Sequence, residues 1–447
     1  MPNSVLTESN LLADFYDRLP RSIAACADDT APVRNGSVFS PGFLLPELDD
    51  RLLDFLSVAT ATWQGIGSYG GHRLTLLDLT RNPGTGTTKT FPSLLIVARA
   101  VEYIRRYGEP ITIFSPTSAN KGTALRDAVL RAIDAGLVEP EQLRVVVLAP
   151  EGCLAKLRSS RLSTDPVLRE LNPVLVYGGP EPEDVKAIGR AFADKYTGDV
   201  GNLWYSLDLA NYLVADTARA FFEHEADPIG ETPRLHAHAV SSAFGLLGYH
   251  RGRAVLEEDG LADPATRPAS LLVQHLGTPD MVLNLRNGDF DRSGLPAYAP
   301  GADGLHTQSA DPRFPQVTYD PDEVLDPTFY THRPATSPAM NDIIARHGGD
   351  GIVVSLAECV ARYPSLRELL SVSGRPLPAD LRTLREWSLV MAMTGVLNAV
   401  DRGLVEPGAD IVIHGSGSYG AADYRLLEHD AITPVSTVED VAGAVLR

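Results

Sequence analysis

Cysteine is scarce. Cys26, Cys153 and Cys359 are too few and too scattered for a disulfide framework, and none lies in a Cys-x-x-Cys pair or near metal-ligand spacing. A reducing, cytoplasmic setting is therefore expected, with no structural metal. No apolar run approaches the roughly eighteen residues of a membrane span. The first twenty residues mix Asp, Glu, Asn and Arg with short apolar pairs, so they lack the apolar core of a signal peptide. Positive charge is in deficit: 39 Lys and Arg stand against 57 Asp and Glu, a net charge of −18 that disfavours nucleic acid as a partner. Internal repeats and low-complexity tracts are also missing.

What is present is enough chain, at 447 residues, for two or three domains with sizeable cores. Periodicity then reads as alternating elements. After a mixed stretch with a helix over 47–59, a strand over 73–79 leads into a polar loop and a helix over 93–107. In that helix Leu94, Leu95, Val97, Ala98, Val101 and Ile104 recur at three- and four-residue intervals, and Gly108 is the stop. Strand 111–114, helix 122–135, strand 144–148, strand 174–177 and helix 182–195 follow. Then come helix 207–224, strand 236–240, a helix after Gly245, strand 271–276, helix 337–347, strand 351–354, helix 384–402 and strand 410–414. Alternation with short connections predicts parallel sheets covered on both faces, and Val145-Val146-Val147-Leu148 has the continuous apolar character of a doubly buried strand. Residues 286–330 break the rhythm with Gly288, Gly294, Pro296, Pro300, Gly301, Gly304, Pro312 and Pro315. So long a loop reads as a specificity insertion or lid, or as plain disorder.

Lys89 is the most informative residue. It closes the run Pro83-Gly84-Thr85-Gly86-Thr87-Thr88-Lys89 just before a helix. A lysine there opposes the helix dipole, so a structural reason for it is hard to find. A P-loop would also end in Lys-Thr, but that motif needs glycine immediately before the lysine and another five residues earlier. Here Thr88 and Pro83 occupy those places.

The order of segments resembles the fold-type II pyridoxal-phosphate enzymes, and threonine synthase most closely. That family carries its cofactor lysine in a segment of the form Asn-Pro-Thr-Gly-Ser-Phe-Lys-Asp, and Thr90 stands here in place of the acid. Its next motif, Thr-Ser-Gly-Asp/Asn-Thr-Gly, is similar to Thr117-Ser118-Ala119-Asn120-Lys121-Gly122. Its phosphate loop, Thr-Gly-Asn-Phe-Gly, is similar to Ser241-Ser242-Ala243-Phe244-Gly245, and its last strand, ending Thr-Gly-His-Gly, to the run through His414-Gly415-Ser416-Gly417. Weaker likenesses lie at 146–152 and 346–355.

The resemblance implies an α/β protein of the tryptophan synthase β type, with two parallel-sheet domains and pyridoxal 5′-phosphate in the cleft between them. The domains expected are 1–92, an N-terminal segment and the first part of a large domain carrying Lys89; 93–205, a small α/β domain; and 206–447, the rest of the large domain with 286–330 inserted. Lys89 would hold the cofactor covalently and move the substrate Cα proton; only a partly neutral lysine can do so, and burial favours that form. Asn120 would meet the pyridoxal 3′-oxygen. Residues 241–245 would hold the phosphate through amides at a helix N-terminus and two hydroxyls, although the family's glycine is missing at Ser242. Thr117, Ser118, Ala119 and Lys121 would face the substrate, Lys121 as a selector of a second anionic group or as a surface residue. Either His414 or Ser416, on one strand face, would meet the pyridine nitrogen. The activity implied is β- or γ-elimination or replacement on a small amino acid, threonine-synthase-like and suited to specialised amino-acid or natural-product biosynthesis, in a homodimer. A non-catalytic binding protein of the same fold is the rival.

Two further features carry less. His236 and His238 alternate on a strand, as a metal pair or as packing residues, and no third ligand is apparent. His332-Arg333 follows the long loop as an anion site or a surface turn.

Overall fold

A computed structural model describes residues 6–28, 30–35, 38–182, 184–206, 209–329 and 331–446. The chain forms two compact units. One comprises Met1–Ser9, Thr60–Arg81 and Asp216–Ala421; the other comprises Asn10–Ala59, Asn82–Ala215 and Ala422–Arg447. The expected boundary after residue 92 is thus corrected to Arg81/Asn82. Lys89 belongs with the 82–215 segment, because the loop that carries it is bonded to residues of that segment, as described below. The C-terminal 26 residues return to the same unit, where Ile432–Val435 pairs in parallel with Val174–Tyr177. The assignment of 206–447 to a single large domain is corrected accordingly.

In the Lys89 unit five parallel strands run in the order Ile432–Val435, Val174–Tyr177, Leu143–Pro150, Ile111–Pro116, Asn202–Tyr205. Val145 to Leu148 are fully buried, as their unbroken apolar run predicts. Phe114, Val146, Leu148, Leu175 and Phe192 form the core on one face.

The other unit holds seven strands in the order Thr7–Asn10, Thr60–Tyr69, His72–Asp78, Asp410–Gly415, Arg234–Ala239, Ala269–His275, Gly349–Val354. From His72–Asp78 onward the sheet is parallel, but Thr60–Tyr69 pairs antiparallel with His72–Asp78. Gly70 and Gly71 join them, both at positive φ (57° and 90°). Paired glycines of that kind suit the tight turns whose twist matches a hairpin. The helix Ser388–Asp401 packs into the core of this sheet beside Val273, Ile352 and Ile413.

Several elements differ from the sequence reading. The first helix shrinks to Asp50–Leu56, capped by the Asp49 carboxylate, which accepts from Leu52 N at 2.8 Å. The helix expected from 384 begins at Ser388, because Leu384–Glu386 pairs with Tyr419–Gly420 and the Glu386 carboxylate receives the Ser388 amide. A helix over Leu356–Leu369 was hidden by Pro364 in its interior, yet Ser355 caps the Glu358 amide at 3.1 Å, and Ser-x-x-Glu is a start signal. The described residues of 286–330 carry short paired strands at Ala299–Pro300, His306–Thr307 and Val317–Thr318. They are anchored by Phe314, fully buried against Leu276, Val282, Leu283 and Val353. Gln308 stitches the turn by donating to the carbonyls of Asp311, Phe314 and Pro315. Plain disorder is therefore corrected: the segment contributes an aromatic residue to a core.

Candidate functional site

Lys89 occupies the N-cap of the helix Thr90–Tyr107, half-buried, with Nζ 5.4 Å from the centre of the Tyr212 ring. The loop before it is knitted by hydroxyls. Thr90 Oγ1 donates to the Thr87 carbonyl (3.1 Å) and accepts from Asn82 Nδ2 (3.1 Å) and Thr85 Oγ1 (2.6 Å). Asn82 also receives the amides of Gly84 (2.8 Å) and Gly86 (2.7 Å), on its side chain and its carbonyl. Arg158 donates to the carbonyls of Pro83 (3.1 Å) and Thr85 (2.6 Å). Thr90, where the resembling family has an acid, is thus a buried hub that fixes the backbone leading to Lys89.

The turn 117–122 lies in the same unit, at the end of Ile111–Pro116. Ala119 adopts φ 79°, ψ −53°, the rare and strained γ-turn conformation, just before the helix Asn120–Asp134. Gly122 donates its amide to Thr117 Oγ1 at 2.9 Å, and a Cβ on it would stand 2.8 Å from Thr117 Cγ2 and 2.9 Å from Val147 Cγ1. Lys121 is 7% exposed and its ammonium donates to the Ser206 carbonyl, so its reading as a surface residue is corrected. Asn120, the first residue of the helix, and Ser118 are half-buried.

In the other unit, residues 241–245 connect the strand Arg234–Ala239 to the helix Phe244–Glu258. Ala243, the N-cap, is left-handed at φ 51°, ψ 18°. Strain in non-glycine residues at two motif turns, 119 and 243, is the pattern that functional sites store. The N-terminus of a helix gathers backbone amides that can meet an anion. Ser241 and Ser242 are half-buried, and Thr336 donates to the Ser242 carbonyl at 2.7 Å.

Beside this loop lies a fully buried polar line that the sequence reading missed. Glu223 Oε1 accepts from His236 Nε2 (3.1 Å); His236 Nδ1 faces His414 Nε2 (2.8 Å); His414 Nδ1 faces Arg219 Nη1 (3.0 Å); and Arg219 is paired with Asp216 at 2.6 Å. Arg219 can only donate, so His414 Nδ1 accepts and His414 Nε2–H donates to His236, whose own Nε2–H donates to Glu223. The polarity of the whole line follows. Burial first, then the neighbouring His236 and Arg219, holds His414 well below the ordinary histidine range, and it is neutral. Burial alone would raise Glu223, but His236, Arg234 and Tyr249 outweigh it and keep it an anion. Arg234 Nη1 donates to it at 2.8 Å, and Tyr249 donates to its second oxygen. Residues 216, 219 and 223 share one face of the helix Ala210–Ala226, at spacings of three and four, which was the available signal.

The two candidates on the last strand differ in their hydrogen bonds. Both ring nitrogens of His414 are committed within its own unit. Ser416 Oγ, on a residue only 6% exposed, makes no hydrogen bond among the described residues. It shares this with the buried hydroxyls of Ser93, Ser115, Ser160, Ser337 and Thr394. His236 serves the line, and no group of three metal-ligating side chains occurs among the described residues. His332 and the Arg333 amide both meet the Asp280 carboxylate, at 3.3 and 2.9 Å, so this turn is tied to an anion of the chain itself. No helix is long and apolar enough to cross a membrane among the described residues.

Solved structures of similar fold include threonine synthase from Escherichia coli, at a TM-score of 0.55 and 14% identity over 98% of this chain and 88% of that one. Threonine synthase from yeast gives 0.53 and 11% over 86% and 80%, and PLP-bound threonine synthase from Brucella melitensis gives 0.52 and 14% over 83% and 78%. At such identities the likeness is one of fold, that of the fold-type II pyridoxal-phosphate enzymes. No curated protein matches the chain by sequence. A family of unknown function, DUF6002, matches residues 7–447, nearly the whole sequence, and the chain belongs to that family.

Proposed function

We propose that this protein is a pyridoxal-phosphate-dependent enzyme acting on a small amino acid by elimination or replacement at Cβ or Cγ. What supports the reading is, in one unit, Lys89 on a loop fixed by Thr85, Thr87 and Thr90 and, in the other, the buried Ser416 hydroxyl, without a hydrogen bond among the described residues, and the loop 241–245 at a helix start. When bound, the cofactor supplies an electron sink that stabilises negative charge at the substrate Cα.

The chain's residues do the rest. Lys89 anchors the cofactor and takes and returns the proton at Cα, with the Tyr212 ring beside its ammonium. Ser416 offers a neutral hydroxyl to the pyridine nitrogen, which disfavours protonation there, and Asn120 reaches the 3′-oxygen. Residues 241–245 hold the phosphate. The turn 117–121 receives the substrate carboxylate at a helix N-terminus, with Lys121 as the cation near it. The leaving group resembles that of threonine synthase only by analogy of fold. A homodimer and a cytoplasmic location complete the reading.

The test is direct. Purified protein incubated with pyridoxal phosphate should gain a visible absorption band, and borohydride reduction followed by peptide mapping should place a pyridoxyl group on Lys89. Lys89→Ala should lose the band while melting within a few degrees of the wild type. An adduct on Lys121, or none, would sink the assignment. A band that no amino acid perturbs would instead favour the rival, a binding protein of this fold.

A further inference from the structure

Among the described residues, three arginines are buried in the unit that holds the last long strand, and two of them are paired: Arg219 with Asp216, and Arg234 with Glu223 and Asp227. Arg253, on the helix Phe244–Glu258, is the third. It is 2% exposed, yet its one hydrogen bond runs from Nη2 to the hydroxyl of Thr266, at 3.3 Å, and Nε is enclosed without a partner among the described residues. No described carboxylate pairs with it.

A guanidinium carries five N–H donors and keeps its charge at any ordinary pH, so burial leaves most of the bonding of Arg253 unmet. A buried cation without a counter-charge is strongly unfavourable. The acids nearest in sequence are engaged elsewhere: Glu257 takes Nε and Nη2 of Arg267, and Asp263 caps the Ala265 amide at 2.8 Å. Thr266 donates its own proton to the Asp263 carbonyl at 2.9 Å, so it accepts from Arg253 and brings no charge.

His250 stands one turn earlier on the same helix face and is 3% exposed; its Nε2 meets Ser270 Oγ at 2.9 Å, and its Nδ1 has no partner among the described residues. Burial, then His236, Arg267 and His347, lowers it to about 3, so it is neutral. Thr266 and Arg267 are half-buried, which brings this region to the surface. Arg253 lies ten residues beyond Ala243, roughly 15 Å along the helix, so the place is separate from the loop 241–245.

We propose that Arg253 is the centre of a second anion site, which takes a small singly charged oxyanion, the carboxylate or monobasic phosphate group of a ligand, on its guanidinium fork. The fork matches two oxygens of such a group, and one negative charge balances it. The site stands independently of the cofactor reading.

Melting temperatures of the full chain test it at pH 7 and constant ionic strength, with sodium phosphate or sodium acetate replacing sodium chloride stepwise. One of the two oxyanions should raise the wild-type value saturably, by about 2–4 °C. A larger rise with acetate would mark the ligand group as a carboxylate, and a larger rise with phosphate as a phosphoryl group. Arg253→Met should lose the rise; phosphate can also meet the loop 241–245, so the readout is the difference between this variant and the wild type. Thr266→Asp, at a half-buried position, sets a carboxylate beside the guanidinium. It should melt higher than the wild type in chloride and gain nothing further at Arg253 from either oxyanion, which decides the matter even where the Met variant does not fold. No rise in the wild type, an equal rise in Arg253→Met, or a Thr266→Asp protein that melts no higher in chloride overturns the proposal.

Discussion

In the loop 82–90 the hydroxyl bonds of Thr85, Thr87 and Thr90 span two to eight residues. Around His414 the bonds span 178 and 195 residues, from the helix Ala210–Ala226 and the strand Arg234–Ala239 to the last long strand. The loop's hydroxyl bonds join neutral groups, several of which can each satisfy another, with Arg158 added from a distance; the cluster uses charges whose burial is bearable only with every partner in place. Redundant local bonds make a turn that tolerates change, whereas a line of single bonds between buried ions and imidazoles makes a brittle one.

The sharpest way to break this contrast is Glu223→Gln. It would leave Arg234 without its buried carboxylate and His236 without its anionic acceptor, at a cost of about 3–5 kcal/mol in chemical denaturation. A loss below about 1 kcal/mol would show the cluster to be as tolerant as the loop. Thr85→Val should be milder: it removes one buried hydroxyl while Asn82 still serves Thr90, and about 1–3 kcal/mol should be lost.

Acid should separate the two regions as well. Burial lowers His250 to about 3 and His275 to about 4, and His236 and His414 are shifted the same way. A folded-state value below the unfolded one means that the unfolded chain binds the extra proton first. Stability is therefore full above about pH 6.5 and is lost as pH falls toward 4, by about 1.4 kcal/mol per pH unit for each such histidine. Melting temperatures between pH 7 and 4.5 would check this, and Thr85→Val should shift the curve down without changing its slope.

The smallest effect concerns backbone strain. Ala119→Gly and Ala243→Gly, at φ 79° and 51°, should be neutral or stabilising by up to about 1 kcal/mol, because glycine has no Cβ to clash there. Ala128→Gly, inside the helix Asn120–Asp134, should cost about 1 kcal/mol. Equal losses at all three positions would remove the strain argument for both motif turns.

Much of this was legible in the residues. The helix after Lys89 announced itself by apolar spacing and the stop at Gly108, which is left-handed at φ 69°. The Thr-rich loop was legible because its hydroxyl bonds are local, and Val145 to Leu148 because a doubly buried strand needs no alternation. The antiparallel edge was missed although Gly70-Gly71 marked it, since a hairpin turn is a local signal and the prevailing pattern was parallel. Glu223, Arg219 and Asp216 gave no sign of their role beyond helical spacing, because a charged helix face is ordinarily solvated.

The sequence by itself determined the alternation of strands and helices, the lysine turn and the order of the motif segments, since each depends on side-chain period or on bonds within a few residues. Only the tertiary structure decided that His414 is bonded through both ring nitrogens, that Ser416 Oγ makes no hydrogen bond among the described residues, that Lys121 is buried, and that Arg219 stands against Gly245. Those facts depend on which distant elements the sheets bring together. Burial, which turns an ordinary charge or hydroxyl into one that must have a partner, exists only once the chain has closed around it.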